Sequence, residues 1–340
     1  MRVKIKDVAE AAEVSIATVS YVLNNSAPVS EETRRRVLDA VDRLGYRPNI
    51  TARNLKASET RIIGYAWHKI PAGQLNSVLD RFIYQMALAA ESHGYHVLTF
   101  TQSARTPAAA YEELIQTGRV DGFILSGTVQ NDERIKMLLD RNFPFVSFGR
   151  SNPGWAFPSV DVDGRAGVRL AMDHLIAQGH HRIAWLGWPS GSLAGEQRYQ
   201  GYLDSLQAAK IEPRKEWHFR SSHSLDEARE VILKAFSRPS MERPTALVCV
   251  SDLVAMGAME AFEKLGIRPG VDIAMTGFDD DPVSSFVRPA LTSLRQPIDE
   301  IAAKVIEMLV TLLTQPDQLT RTQLLLIPTL IARDSSQFTP

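Results

Sequence analysis

The chain runs to 340 residues, 44% of them hydrophobic and 23% charged, which is more than one ordinary domain holds and the balance of a folded globular protein. No stretch approaches the roughly 20 apolar residues of a membrane span, and the amino terminus is charged and amphipathic where a secretory leader is apolar, so a cytoplasmic protein with no membrane partner is expected. The net charge of −1 is uneven: residues 1–61 hold 11 Lys and Arg against 8 Asp and Glu, the rest 27 against 31, a small basic excess that predicts weak non-specific nucleic-acid affinity at one end and a dependence on dimerisation.

The first 25 residues read as two short helices joined by a tight turn. Ile5, Val8, Ala9 and Ala12 share one face of the first, and Val19, Val22 and Leu23 recur at helical spacing in the second. Ser15 stands where its hydroxyl caps the second helix, with Val14 packed into the angle. Its outward positions, Ile16, Ala17, Thr18, Ser20 and Tyr21, are then open to base edges and phosphates, as in a recognition helix entering the major groove; an ordinary helical hairpin fits the same residues. A third helix is predicted from Ser30 as cap, through Glu31 and Glu32 at the positive end of its dipole and Arg34 to Arg36, to the core residues Val37, Val41 and Leu44. It stops at Gly45, with Pro48 just beyond. Residues 49–58 contain helix formers but too little apolar surface to fold unaided, and read as a hinge.

From Arg61 the pattern alternates between strands and helices. Strands are predicted at Ile62–Trp67, Tyr95–Phe100, Gly122–Leu125 and Phe145–Phe148, with an amphipathic helix over Val78–His93. After Ser159–Asp163 comes a second series: helix 165–178, strand Ile183–Leu186, helix 195–209, a strand near Trp217, helix 225–236, strand 246–250, helix 253–265 and strand Ile273–Thr276. Two lobes follow, each a doubly wound parallel sheet. The chain is expected to return to the first lobe at about Thr292, with a helix over Pro297–Leu313, and to cross again near Leu325. That gives a first lobe of 61–160 and 292–324 and a second of 161–291 and 325–340. The single cysteine, Cys249, lies in an apolar strand and reads as a buried thiol of a reduced protein.

The segments DVAEAAEVSIATVSYVLNN, GYRPNITARNLKASET and IIGYAW resemble, in order and spacing, the LacI/GalR family of bacterial transcription regulators, and the resemblance covers essentially the whole chain. It implies a small all-α helix-turn-helix DNA-binding domain (1–48), a hinge (49–60) and a two-lobed α/β core (61–340) like periplasmic sugar-binding proteins. It further implies a homodimer on a pseudo-palindromic operator, with Ile16, Ala17 and Tyr21 reading bases. Ser15, Ser20, Asn24, Ser30, Thr33, Tyr46 and Asn49 would position phosphates, and Leu55, flanked by Ala52 and Arg53, would wedge into the minor groove at the centre of the site. Such a wedge unstacks a base step at a cost of a few kcal/mol, offset by contact with the bent DNA. No heptad-bearing extension is present, so a dimer is expected rather than a tetramer.

Three features depart from the family pattern. Glu13 stands where helix-turn-helix proteins commonly carry glycine, at a turn expected to need positive φ at about 1 kcal/mol of strain. The recognition positions hold no arginine or glutamine for bidentate reading of guanine or adenine, so methyl contacts, Tyr21 and the hinge are left to specify the site. Gly164 follows Asp163 where the family carries asparagine, which unsettles the hydrogen bonding at that helix start.

Ligands of open parallel α/β sheets bind outside the carboxyl ends of the strands. The residues there, Trp67, His68, Ser77, Ser126, Arg150, Arg198, Ser251, Asp252, Phe278, Asp279 and Gln296, match effector-contacting positions by resemblance. Guanidiniums and carboxylates that hold vicinal hydroxyls, with Trp67 and Phe278 as flat apolar faces, favour a mono- or disaccharide over a purine. Trp67 and Phe278 also fit as core residues, and the run Asp279 to Asp281 before Pro282 fits a helix cap.

No enzyme motif is present. Gly187–Gly191 has the wrong spacing for a nucleophile elbow, and there is no Walker A loop or H-E-x-x-H. His180 and His181 are expected to face solvent in a helix-to-strand loop, and neither metal nor cofactor is expected. Two functions stay open on sequence alone: a ligand-controlled repressor of carbohydrate-utilisation genes, and a sugar-binding module whose N-terminal helices bind a protein partner. A purine or a phosphoprotein as the controlling partner of the regulator is a further alternative.

Overall fold

Met1–Thr60 and Arg61–Pro340 form two separate units. The computed structural model describes every residue except 1–2, 25, 48–58, 68–75, 103–105, 238–241, 316–321 and 338–340, so the hinge expected over 49–58, with Asn49, Ala52, Arg53 and Leu55, lies outside the described residues, as does His68.

Among the described residues the first unit holds α1 (Ile5–Ala11), α2 (Ile16–Asn24) and α3 (Glu31–Leu44). The short apolar stripes close on one another: Val8, Ala9 and Ala12 meet Val19, Val22, Val37 and Ala40, with Val14 half-buried against them. Local chemistry sets the boundaries. The Asp7 carboxylate accepts the Lys4 N–H at 2.8 Å, and Ser15 Oγ accepts the Thr18 N–H at 3.0 Å at the start of α2. Ser30 does the same for Thr33 at the start of α3, which Gly45 ends in the left-handed region. Glu13 has φ +54°, so the turn between α1 and α2 keeps its left-handed residue despite the side chain.

The second unit holds two six-stranded sheets. The first sheet contains β1 (Ile62–Trp67), β2 (His96–Thr101), β3 (Gly122–Leu125), β4 (Phe145–Phe148), β5 (Ser159–Val162) and β11 (Gln323–Leu326), in the order β11-β5-β4-β3-β1-β2. The second contains β6 (Ile183–Gly187), β7 (His218–Arg220), β8 (Ala246–Cys249), β9 (Ala274–Asp279), β10 (Thr292–Arg295) and β12 (Thr329–Ile331), in the order β12-β10-β9-β8-β6-β7. Among the described residues every strand pairing is parallel except β10 with β12, where Leu294 faces Leu330. Parallel strands covered on both faces need continuous apolar runs, which is what β3, β6 and β8 supply.

The first lobe holds helices α4 (Ser77–Ser92), α5 (Ala109–Gln116), α6 (Glu133–Asp140) and α11 (Ile298–Thr314); α4 and α11 flank its sheet, burying Phe82, Met86, Ile301, Val305 and Leu309. In the second lobe α7 (Gly164–Ala177) packs beside α8 (Leu193–Ala208), and α9 (Leu225–Phe236) beside α10 (Asp252–Lys264).

The lobe boundaries differ from the sequence expectation. Thr292–Arg295 pairs with β9 in the second sheet, so the return to the first lobe comes after Arg295, where Pro297 precedes α11. The last crossing follows Leu326, because Gln323–Leu326 pairs with β5 in the first sheet. The Asp163 N–H donates to the Leu326 carbonyl at 2.8 Å, tying two of the crossings together. His180 is also corrected: it is fully buried, its Nδ1 3.0 Å from Thr245 Oγ1, while His181 is exposed. Cys249 is buried, and burial pushes its thiol well above the ordinary range.

Candidate functional site

On the first unit, α2 turns Val19 and Val22 inward and leaves Ile16 and Tyr21 48% and 45% exposed, with Ala17 exposed beside them. The hydroxyls of Ser15 and Thr18 pair at 2.9 Å. Asn24 Nδ2 donates to the Ser20 carbonyl at 2.9 Å and to Ser20 Oγ at 3.2 Å, while Ser30 Oγ donates to Thr33 Oγ1. Tyr46, expected at a phosphate, is buried in the core of the unit.

On the second unit, a cavity of about 690 Å³ lies between the lobes at the carboxyl ends of both sheets, a usual volume for a small-molecule site. Its second-lobe wall is built on Arg198 and Asp279. Arg198, on α8 and nearly fully buried, donates from Nη1 to the Val250 carbonyl at 2.6 Å. Its Nη2 stands 3.8 Å from Asp279 Oδ1. The guanidinium lies 3.5 Å from the centroid of the Phe278 ring and 5.2 Å from that of Trp188. Gly164 leaves room for this side chain, since a Cβ there would stand 3.0 Å from Arg198 Cγ. The helix start that Gly164 unsettles in sequence is secured by Asp163, whose carboxylate accepts the Ala166 N–H at 2.8 Å.

Asp279 ends β9 with φ +116° and accepts Gln296 Nε2 at 2.6 Å. Burial raises its pKa to about 6 against the pull of Arg198 and Gln296. Asp252 is raised to about 7 by burial and by the charge of Asp279, although Ser293 Oγ, Ser284 Oγ and the Asp281 N–H all donate to it. Burial also lowers the Arg198 pKa, opposed by the carboxylates around it. Both members of the pair are thus held away from water without full compensation from each other.

The lobes touch across the cavity. Arg150, from the first, donates through Nε to Asp161 at 2.9 Å and through Nη2 to Gln197 of the second. Ser77 Oγ donates to the Asp281 carboxylate. Three polar atoms in residues lining the cavity, Arg198 Nε, Trp188 Nε1 and His223 Nδ1, are buried with no hydrogen-bond partner among the described residues. Burial and the charge of Arg198 lower the His223 pKa, which favours its neutral form.

Residues 4–49 match the model for bacterial regulatory proteins of the lacI family, and residues 172–336 the model for a periplasmic binding protein-like domain. Over 308 residues the chain is 32% identical to the HTH-type transcriptional repressor PurR of Serratia proteamaculans (strain 568), covering 90% of this chain and 89% of that one. The chain belongs to the LacI family.

Solved structures of LacI-family proteins agree. A regulatory protein of the LacI family from Chloroflexus aggregans is 41% identical with a TM-score of 0.77, covering 82% of this chain and 99% of its own. The Lac repressor dimer bound to operator and the anti-inducer ONPF superposes with a TM-score of 0.84 at 26% identity, covering 99% of each chain. The complex of the transcriptional regulator CelR with cellobiose gives 0.75 at 27% identity, covering 98% and 100%. The chain is accordingly a DNA-binding transcriptional regulator with an N-terminal helix-turn-helix and a two-lobed α/β core.

Of the residues expected at the effector site, Ser77, Arg150, Arg198, Asp252, Asp279 and Gln296 line the cavity. Four do not. Trp67 is 39% exposed and Phe278 is buried beneath the Arg198 guanidinium. Ser126 is bonded to Tyr65 inside the first lobe, and Ser251 caps α10. Asp161, Trp188, Gln197, His223 and Asp281 also line the cavity and are absent from the sequence-based set. Trp188 and His223 follow the carboxyl ends of β6 and β7, so the strand-end rule extends to them; Gln197 carries no signal beyond standing next to Arg198.

Proposed function

We propose that this LacI-family regulator is a cytoplasmic repressor of carbohydrate-utilisation genes and not an enzyme. It binds a pseudo-palindromic operator as a homodimer and is controlled by a neutral mono- or disaccharide held between the lobes of the core, residues 61–340. The observation that carries the effector reading is the set of three buried, unpartnered polar atoms on the cavity wall beside the Arg198–Asp279 pair. A buried polar group left without a partner costs about 1–3 kcal/mol, and hydroxyls of a polyol supply both donors and acceptors to such atoms. Charge favours a neutral ligand: Asp161, Asp252, Asp279 and Asp281 stand on the wall against Arg150 and Arg198, which leaves no surplus positive charge for a phosphate.

Ligand in the cavity acts on the contacts that join the lobes, Arg150 with Gln197 and Ser77 with Asp281. A ligand that binds one lobe arrangement better than another shifts the population toward it, and the same coupling free energy, typically 1–3 kcal/mol, appears in operator affinity. The test is thermal denaturation of the full chain with neutral saccharides, sugar phosphates and nucleobases. Saturation at about 100 times Kd stabilises by roughly 2.7 kcal/mol. Stabilisation by a neutral saccharide that also changes operator affinity in a gel shift is expected; stabilisation by a sugar phosphate or a nucleobase alone overturns the reading.

A further inference from the structure

The second helix of a helix-turn-helix enters the major groove with its N-terminal residues against base edges, and here α2 has an unusual chemical content. Its sequence, IATVSYVLN, contains no arginine, lysine, glutamine, aspartate or glutamate. The only carboxamide, that of Asn24, is committed to the Ser20 carbonyl and hydroxyl within the same helix. The hydroxyls at the N-terminal end are paired with each other, Ser15 with Thr18. Beyond these hydroxyls, the exposed surface of α2 is the Ile16 side chain and the Tyr21 ring, about half exposed, the methyl of Ala17, and the self-bonded Asn24. Among the described residues the cations of the unit are Lys4 and Lys6 at the start of α1, four arginines on α3 and Arg47 just after it, where contacts to phosphate fix position and carry no sequence information.

Purines are distinguished in the major groove by paired hydrogen bonds, arginine or lysine to guanine and asparagine or glutamine to adenine, whereas thymine alone presents a C5 methyl. We propose that this chain selects its operator half-sites through thymine methyl groups packed against Ile16, Ala17 and the ring of Tyr21, and not through bidentate hydrogen bonds to purines. The proposal rests on the reading of the chain as an operator-binding regulator and specifies the chemistry of the DNA it selects. Two exposed apolar side chains beside a methyl-bearing base each lose water on docking. The small Ala17 leaves the helix free to approach the bases closely, and the Tyr21 hydroxyl adds a single hydrogen bond.

The experiment starts from a duplex selected by the full chain out of a random pool. Each half-site thymine is then replaced singly by deoxyuridine, which removes the C5 methyl and no hydrogen-bonding group, and each guanine or adenine by its 7-deaza analogue, which removes the N7 acceptor. Loss of one buried methyl is expected to weaken binding roughly fourfold at the thymines facing α2, with less than a twofold effect from any 7-deazapurine. In Ile16→Ala the deoxyuridine penalty is expected to vanish at one of those thymines and persist at the others; Ile16 is exposed, so the change leaves the core intact. Neutral deoxyuridine substitutions throughout, with or without a roughly tenfold loss from a 7-deazapurine, overturn the proposal. A pool from which no duplex is enriched fails the operator-binding reading itself, and the proposal with it.

Discussion

Replacing Asp279 by asparagine keeps the shape of the side chain and removes its charge. Oδ1 already accepts Gln296 Nε2 at 2.6 Å and faces Arg198 Nη2 at 3.8 Å, and no described residue donates to Oδ2, which leaves it as the acceptor for a ligand hydroxyl at the cavity wall. A hydrogen bond to an ionised group contributes about 1.5–3 kcal/mol, so effector affinity is expected to fall about 10- to 150-fold. The unliganded protein responds differently. Holding an ionised carboxylate whose pKa is raised to about 6 costs on the order of 3 kcal/mol at pH 7.5, and asparagine removes that cost. That value already includes the opposing pull of Arg198 and Gln296, and Asp161 and Asp252 still favour the charge of Arg198 in the variant, so the unliganded variant is expected to be more stable than the parent at pH 7.5, by up to about 3 kcal/mol. Isothermal titration with the stabilising saccharide, a urea melt and an effector-free gel shift measure the three quantities separately. Undiminished effector affinity refutes the assignment of Asp279 as a ligand acceptor, and loss of effector-free operator binding refutes the confinement of its role to the cleft.

The raised pKa values of Asp279 and Asp252, about 6 and about 7, mean that the folded protein keeps protons the unfolded chain has already released, so this contribution to stability is present at about pH 4 and is lost as pH rises to about 7. Urea melts over that range for the parent and Asp279→Asn should therefore diverge, the parent losing ground with rising pH; the histidines, including His223, cancel in the difference, and parallel curves would sink the pKa assignment. Ser15→Ala removes the hydroxyl that accepts the Thr18 N–H, at a cost of about 1 kcal/mol, and amide exchange across residues 16–24 should quicken about fivefold; unchanged protection would show that the cap is not what secures α2. In Gly277→Ala the new Cβ would lie 2.1 Å from Asp252 Oδ1 and 3.0 Å from Leu291, and overpacking of this kind costs about 1–3 kcal/mol. A melt within 0.5 kcal/mol of the parent would show that the Asp252 network can move aside.

The three N-terminal helices are legible because each boundary has a local cause: Ser15 and Ser30 as caps, and Gly45 in the left-handed region. The alternation of strands and helices is equally local. Which sheet a strand joins is not. Nothing within Thr292–Arg295 says that it pairs with β9, and only Pro297 marks where the chain leaves the lobe. The cleft divides in the same way. The strand-end rule reaches Arg150 and Asp279, yet it does not say which of two neighbouring residues at a strand end meets the cleft. Asp279 faces the cavity and Phe278 lies under the Arg198 guanidinium. Gln197 reaches the site only because α8 lies across from Arg150 of the other lobe, a relation between distant segments that no local pattern encodes.

The energetics of that cleft bear on why its residues are there. If Arg198 and Asp279 served the fold alone, they would form a close pair with every donor satisfied, or be replaced by apolar residues of similar volume, which is often neutral or stabilising. Instead the pair stands 3.8 Å apart, burial shifts both pKa values toward the uncharged forms, and Nε of Arg198 has no described partner. Meanwhile Gly277 and Gly164 are positions where a Cβ would collide with Asp252 or crowd Arg198. A backbone that makes room for an unsatisfied polar pair at the junction of two lobes is a backbone arranged for a third, polar component. The contacts of Arg150 with Gln197 and of Ser77 with Asp281 line the same cavity, so whatever satisfies that pair also acts on the contacts that set how the lobes are held.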